Sequence, residues 1–279
     1  MKFKRSERLV DMTYYLLNHP HQIVSLSCFS ERYGSAKSSI SEDLAIVKQS
    51  FEMQGIGFLK TIAGASGGVT YIPTMSKEEA SKLLTNLISQ LSQAERLLPG
   101  GYLYMTDVLG RPQYVNAIGR MIASVYASNG VDAVMTMETK GIPLAYAVAT
   151  QFNVPVVIVR RISKVTEGST VSINYVSGSS KRIQTMVLPR RSLTPGSKVL
   201  IVDDFMKAGG TMKGMINLCN EFETEVTGIA VFVETKDEKP KLINNYQSLL
   251  RLSITEQETA LKIENGTIYK NFTLLGGNS

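Results

Sequence analysis

The chain has 279 residues, 43% of them hydrophobic, with 30 Lys and Arg against 24 Asp and Glu, a net charge of +6 and a mean hydropathy of +0.01. That length suits two domains, each with its own core, and the basic balance points to an anionic partner. No apolar run approaches the roughly 18 residues of a membrane span, and no signal-peptide apolar region follows the basic start. Cys28 and Cys219 lie far apart at no metal-ligand spacing, so a cytoplasmic protein without a metal site is expected. His19 and His21, the only histidines, flank Pro20 in a predicted turn, which speaks against a catalytic histidine.

The first helix is predicted from Ser6, with Leu9, Met12, Thr13, Leu16 and Leu17 on one face and an end near Asn18-His19-Pro20. Residues 25–33 predict a short second helix. Gly34-Ser35-Ala36 makes a turn, and residues 37–53 form a third helix that buries Ile40, Leu44, Val47 and Phe51. This is the helix-turn-helix arrangement. Two β-prone runs, 57–62 and 69–72, are joined by Ala63-Gly-Ala-Ser-Gly-Gly68 and closed by Pro73, which predicts a hairpin with a flexible tip. Three helices followed by a hairpin resemble a winged-helix DNA-binding domain, here residues 1–74.

The exposed start of the third helix carries Lys37, Ser38, Ser39 and Ser41, side chains able to contact phosphates or base edges. The slim hairpin tip, with Ser66, can approach a groove. Lys2, Lys4, Arg5 and Arg8 form a basic arm, and Arg32 and Lys60 complete the candidate DNA-contacting set. Eight basic residues face six acidic ones in this module, so charge alone leaves a protein-interaction domain as an alternative.

The second module is read as residues 75–279. Ser76-Lys-Glu-Glu79 has the form of a capping box. The helix behind it carries Leu83, Leu84, Leu87, Ile88 and Leu91 and is predicted to stop at Pro99-Gly100-Gly101. Beyond it, predicted helices (115–126, 142–152 and one after Thr211) alternate with apolar strands (133–137, 154–159, 199–202, 226–233). Uninterrupted apolar strands alternating with helices imply an α/β domain with a parallel sheet covered on both faces. Ligands of such sheets sit beyond the carboxyl ends of the strands.

Three segments at strand ends carry chemistry. Glu138-Thr139-Lys140-Gly141 follows the strand at 133–137 and is either a plain βα turn or an anion loop. From Arg160 to Arg191 there are seven basic residues and one acid, in a Ser/Gly-rich stretch that alternates around residues 170–175. It reads as a two-stranded flap suited to a polyphosphate or to DNA. Most informative is Val199-Leu-Ile-Val-Asp-Asp-Phe-Met-Lys-Ala-Gly-Gly-Thr211: a buried strand closed by two carboxylates, then a Gly-rich helix entry. The carboxylates can accept hydrogen bonds from ribose hydroxyls. The glycines let backbone N–H groups close on a phosphate at a helix N-terminus. The spacing is neither a P-loop nor a dinucleotide fingerprint.

The last segment resembles the phosphoribosyl pyrophosphate (PRPP) motif of type I phosphoribosyltransferases. That resemblance implies that Asp203 and Asp204 hold the ribose, that Ala208, Gly209, Gly210 and Thr211 hold the 5′-phosphate, and that Thr139, Lys140 and Gly141 hold the pyrophosphate. The chain departs from the pattern at Ala208, where the enzymes usually carry Thr, and at the bulky Phe205-Met206-Lys207. Tyr102 and Phe205 are placed to stack on a purine or simply to pack. Lys207 and Arg160 are further candidates for phosphate contact.

The winged-helix module joined to this pocket, with Ala36-Lys-Ser-Ser-Ile-Ser-Glu-Asp43, Leu98-Pro-Gly-Gly-Tyr102 and Val165-Thr-Glu-Gly-Ser-Thr-Val-Ser-Ile-Asn-Tyr-Val-Ser-Gly-Ser179, resembles the PurR-type purine operon regulators of Gram-positive bacteria. The resemblance implies a homodimeric repressor of purine biosynthesis genes that binds promoter DNA. It further implies PRPP as the effector, with magnesium accompanying it, competition by guanine nucleotides such as guanosine tetraphosphate, and no transferase activity. An active purine phosphoribosyltransferase with an accessory domain and an RNA-binding regulator are the alternatives.

Overall fold

A computed structural model describes residues 3–64, 67–176, 182–236, 240–254 and 261–274. The N-terminal domain contains helices α1 (Arg5–Asn18), α2 (Leu26–Tyr33) and α3 (Lys37–Gln54), then strands β1 (Gly57–Ile62) and β2 (Gly68–Pro73). Met12, Leu16, Phe29, Ile40, Val47 and Phe51 are buried in one cluster, as the helical spacing predicts. Ser25 starts α2 by accepting the Cys28 N–H at 3.1 Å. Gly34, at φ 59°, ends that helix in the left-handed conformation.

β1 and β2 pair antiparallel from Gly57–Pro73 to Ile62–Gly68, forming the wing. The chain between α1 and α2 adds a third edge to it. His21 N–H donates to the Tyr71 carbonyl at 2.8 Å, and Val24 and Val69 exchange backbone bonds of 2.8 and 2.9 Å.

The second domain begins with α4 (Lys77–Leu91), capped by Ser76 Oγ accepting the Glu79 N–H at 3.2 Å. α4 ends at Leu91, well before the Pro99-Gly100-Gly101 expected to stop it. Its buried stripe runs out there, because Ser92, Gln93, Ala94 and Glu95 are all exposed. Pro99 and the positive-φ Gly100 and Gly101 instead turn a small hairpin, β3 (Leu97–Leu98) with β4 (Tyr102–Leu103).

The elements that follow are α5 (Thr106–Leu109), α6 (Pro112–Tyr126), β5 (Ala133–Met137), α7 (Gly141–Phe152), β6 (Val156–Val159), β7 (Thr170–Val176) and β8 (Ile183–Pro189). β9 (Lys198–Met206), α8 (Gly210–Glu221), β10 (Glu225–Thr235), β11 (Gln247–Ile254), β12 (Leu261–Asn265) and α9 (Ile268–Leu274) complete the order.

Six strands form one sheet in the order β12-β11-β10-β9-β5-β6. Five run parallel, and β12 lies antiparallel at the edge, so the sheet is mixed rather than wholly parallel. Val134, Leu200, Val202, Ala230 and Phe232 face a core shared with α4, α6 and α7. Met135, Val199, Ile201, Ile229 and Val231 face α8 and the β7–β8 hairpin. Burial on both faces explains the continuous apolar runs. β9 runs on through the acidic pair to Met206, because β10 pairs with it as far as Glu234. Cys219 lies inside the α8 face and burial pushes its thiol up to about 11, whereas Cys28 on α2 is exposed.

β5 and β9 are neighbours, yet their crossovers diverge: α7 leads outward to β6 and α8 leads the other way to β10. That divergence opens a crevice at their carboxyl ends. The two domains meet over α6 and α7. The His21 and Phe152 rings lie 5.1 Å apart and α6 packs on β2, with Arg120 near Tyr71; just past the wing, Met75 N–H donates to Ser124 Oγ at 2.8 Å. α6 and α7 cross closely at Gly119, where an added Cβ would fall 2.7 Å from the Ala147 backbone.

Two stability outcomes follow from these contacts. Gly119→Val forces the helices apart and should cost about 1–3 kcal/mol, read as a lowered melting temperature; an unchanged melt would contradict the close crossing. Burial holds the His21 imidazole below its ordinary value of 6.5, so the folded chain keeps it neutral while the unfolded chain takes up the proton. The stability of the wild type should therefore fall as pH drops through 6.5 and below. His21→Asn, which tolerates the positive φ of 59°, should lose less stability between neutral and mildly acidic urea melts.

Candidate functional site

The crevice between β5 and β9 is a cavity of about 400 Å³, within the size range of small-ligand pockets. Asp203 and Asp204 form its floor. Phe205, Lys207, Ala208, Gly209, Gly210 and Thr211 form one wall, Lys140 stands opposite, and Tyr102 comes across from the β3–β4 hairpin. Ten of the predicted ligand residues therefore come together here.

Burial is the main cause holding the Asp203 carboxyl well above the ordinary carboxylate range, and the adjacent Asp204 charge adds to it. Burial also raises Asp204, against the opposing pull of the Asp203 hydrogen bond and the Lys140 ammonium. Two helices aim their N-termini at this acidic floor. α8 starts at Gly210 after Gly209, whose φ of 84° turns the loop. α7 starts at Gly141, directly behind Asp203. The paired dipole ends and free N–H groups favour an anion above the floor.

The phosphate-type loop is held from behind. Leu242 N–H donates to the Ala208 carbonyl at 2.9 Å, and Lys241 Nζ donates to the carbonyls of Lys207 and Thr235. Lys207 Nζ reaches the Gly100 carbonyl at 2.9 Å and lies 5.7 Å from the centre of the Tyr102 ring. Tyr102 and Phe205 have ring centres 5.8 Å apart. These three side chains form an aromatic and cationic rim.

Three other predicted ligand residues lie outside the lining. Thr139 is exposed beside it, and Gly141 fills the space behind Asp203. Arg160 is engaged elsewhere, by Glu167 at 2.6 Å and Glu138 at 3.1 Å. Its neighbour Arg161 lines the cavity instead. The backbone at Arg160 forms a bridge to Val187, and adjacent residues of an extended segment point to opposite sides. Sequence reasoning had the doublet but not its phase. It also missed Glu138, which lines the cavity and accepts the Arg161 N–H at 2.9 Å.

On the N-terminal domain a second concavity lies between α3 and the wing. Lys37, Ser41 and Lys48 line it from α3, with Ser25 and Ser27 from α2 and Thr61, Gly64 and Gly67 from the wing. Ser38 and Ser39 share the first turn of α3, where Ala36 brings no side-chain acceptor to the N–H groups. Lys60 is exposed on β1 opposite Thr70. Ser66 lies outside the described residues.

Three of the predicted contacts have structural partners. Arg32 bonds Asp11 at 2.7 and 3.0 Å and lies 5.4 Å from the Tyr15 ring centre. Arg5 and Arg8 both bond Asp43, at 2.9 and 2.7 Å, and that carboxylate is fully buried. These pairs tie α1 to α2 and α3.

Comparison with known proteins follows the same division. The family model described as the bacterial purine repressor N-terminal domain matches residues 4–73, and the phosphoribosyl transferase domain model matches residues 105–260. The purine biosynthesis transcriptional repressor PurR of Bacillus subtilis is 59% identical over 273 residues, covering 98% of this chain and 96% of that protein. The chain belongs to the PurR family of purine biosynthesis transcriptional regulators.

The family includes the purine biosynthesis transcriptional activator PurR of Lactococcus lactis, 46% identical over 96% of this chain and 99% of that one. The Lactococcus lactis xanthine phosphoribosyltransferase is 31% identical over 159 residues, 56% of this chain and 78% of the enzyme. Among solved structures, the adenine phosphoribosyltransferase of Rhodothermus marinus is similar with a TM-score of 0.49 and 23% identity over 56% of this chain and 88% of that one. As a PurR-family regulator the protein binds DNA. No helix among the described residues is long and apolar enough to cross a membrane.

Substitutions in the PurR-type N-terminal domain should separate scaffold from interface. Asp43→Ala leaves the mostly buried Arg8 without its partner and should cost about 3 kcal/mol. Arg32→Ala, at a half-exposed pair, should cost about 1 kcal/mol after allowance for solvent. Lys37→Ala should leave the melting temperature unchanged and weaken promoter binding. A Lys37 variant that melts early, or that binds normally, would reverse this assignment.

Proposed function

We propose that the protein is a cytoplasmic, homodimeric repressor of purine biosynthesis genes that releases promoter DNA when PRPP fills the pocket between β5 and β9. The observation that carries this reading is the Asp203–Asp204 pair, the first buried and the second half-buried, beside two helix N-termini. A bare acidic floor would repel anions. Carboxylates flanked by helix N-termini, Lys140 and Arg161 suit a ligand that brings hydroxyls to the acids and phosphates to the donors. The ribose hydroxyls would bond Asp203 and Asp204, and the 5′-phosphate would bond the backbone at Ala208, Gly209, Gly210 and Thr211. The pyrophosphate, with magnesium accompanying it, would sit by Lys140 and Arg161.

The rim favours sensing over transfer. Lys207 crosses to Gly100 and packs near Tyr102 beside Phe205, narrowing the rim of the cavity. Ala208 brings no hydroxyl to the phosphate. Guanine nucleotides, guanosine tetraphosphate among them, would compete by stacking on the same aromatic rim. Formation of a nucleotide from PRPP and a purine base would overturn the non-enzymatic reading.

PRPP is expected to weaken promoter binding in a gel-shift assay. A tenfold effect needs about 1.4 kcal/mol of differential affinity between the two states. Asp203→Asn with Asp204→Asn should still bind DNA but ignore PRPP; an undiminished PRPP response would remove the pair from the site. Promoter affinity should fall with log salt at a slope of about 0.9 per phosphate contacted.

The raised carboxyls set a pH dependence. Ribose hydroxyls donate to ionised acids, so PRPP binding should draw protons off the pair and tighten as pH rises above the ordinary carboxylate range. Calorimetry in two buffers of different ionisation heat should show net proton release, reduced in Asp203→Asn. Equal proton release in that variant would count against the assignment.

A further inference from the structure

One helix joins the pocket to the wing. α7 has 12 residues, about 18 Å of rod. Its first residue has no slack against the pocket floor: a Cβ on Gly141 would fall 2.2 Å from Thr136 Oγ1 and 2.6 Å from Asp203 Oδ1. The residues just before it, Glu138 and Lys140, line the cavity. Its last residue, Phe152, is buried with its ring 5.1 Å from that of His21.

His21 belongs to the segment that edges the wing. Its N–H is bonded to Tyr71, and Val24 is bonded twice to Val69. Gly68, at the start of β2, lies so close to this segment that a Cβ would stand 2.2 Å from the Val24 carbonyl oxygen. Near the middle of α7, Ala147 is pressed against Gly119 of α6. A stiff rod held at its midpoint has little room to translate there, but it can tilt, and its two ends then move in opposite senses.

We propose that α7 is the lever by which filling of the pocket is read at the wing: a ligand on the loop before Gly141 shifts the first turn of α7 relative to Asp203, and Phe152 passes the shift through His21 to β2. α6 also touches the wing, packing on β2 with Arg120 near Tyr71, but no residue of α6 lines the cavity, which leaves α7 as the helix that reaches from the pocket to the wing. The identity of the ligand rests on the reading above. The mechanical link does not.

Two arms test the lever on the full chain. In the first, promoter affinity is measured with and without saturating PRPP. The ratio should be about tenfold in the wild type and below about threefold in Phe152→Leu and in His21→Asn. DNA affinity without PRPP, and PRPP affinity by calorimetry, should stay within about threefold of wild type. An unaltered ratio in both variants overturns the proposal.

The second arm uses no ligand. Gly141→Ala pushes the first turn of α7 off Asp203 and should by itself change promoter affinity by more than about threefold, a change that disappears when Phe152→Leu is added. A folded Gly141→Ala variant with wild-type affinity, or an effect that persists in the double variant, overturns the lever. If melting shows Gly141→Ala unfolded, amide exchange at residues 21–24 decides: PRPP should alter it in the wild type and not in Phe152→Leu, and no alteration in the wild type overturns the proposal. Should PRPP fail to bind the wild type, the ligand assignment falls and the second arm alone judges the link.

Discussion

The arrangement depends on keeping two adjacent carboxylates under cover at the end of β9. Burying charge is costly unless something compensates it, and here the compensation is built from backbone: the N-termini of α7 and α8 converge on the pair, and Lys140 and Arg161 stand beside it. That constraint fixes much around it. Gly141 has no room for a side chain because Thr136 Oγ1 and Asp203 Oδ1 crowd the place of its Cβ. The sheet must be apolar on both faces because helices are needed on both. β5 and β9 must be neighbours with diverging crossovers, or the two helix ends would not meet over one floor.

The sequence was most legible where local chemistry repeats in period. The helical spacing of Met12, Leu16, Ile40, Val47 and Phe51 located the N-terminal core, and the glycines around the tip marked the wing. The strand, acidic pair and Gly-rich entry at 199–211 located the pocket before any fold was known. Legibility failed where tertiary packing decides. Leu91 ends α4 because its buried stripe stops, a fact the breaker residues downstream hid. β11, β12 and α9 carry mixed patterns that only make sense once β10 exists for them to extend. Arg160 and Arg161 are interchangeable as text; the bridge to Val187 is what turns one toward Glu138 and Glu167 and the other toward the cavity.

The N-terminal domain shows the same limit for charge. Counting basic residues treats Arg5, Arg8, Arg32 and Lys37 alike. The fold divides them. Arg8 and Arg32 are tied to Asp43 and Asp11 and hold the helices together, Arg5 is tethered with more than half of its side chain exposed, and Lys37 lines the groove by the wing. A basic arm in the sequence is thus partly an internal brace. The acids that neutralise it are spent on folding rather than on repelling a polyanion.

The two thiols differ in a way that serves the experimenter. Cys219 is sealed behind α8 with its ionisation suppressed, while Cys28 stands exposed on the helix whose first turn borders the α3–wing groove. A maleimide fluorophore added to the native protein should therefore attach at one place only. That place lies on the N-terminal domain, on the helix that borders the α3–wing groove, so the unmutated chain already carries a handle for an optical reporter of events at that groove.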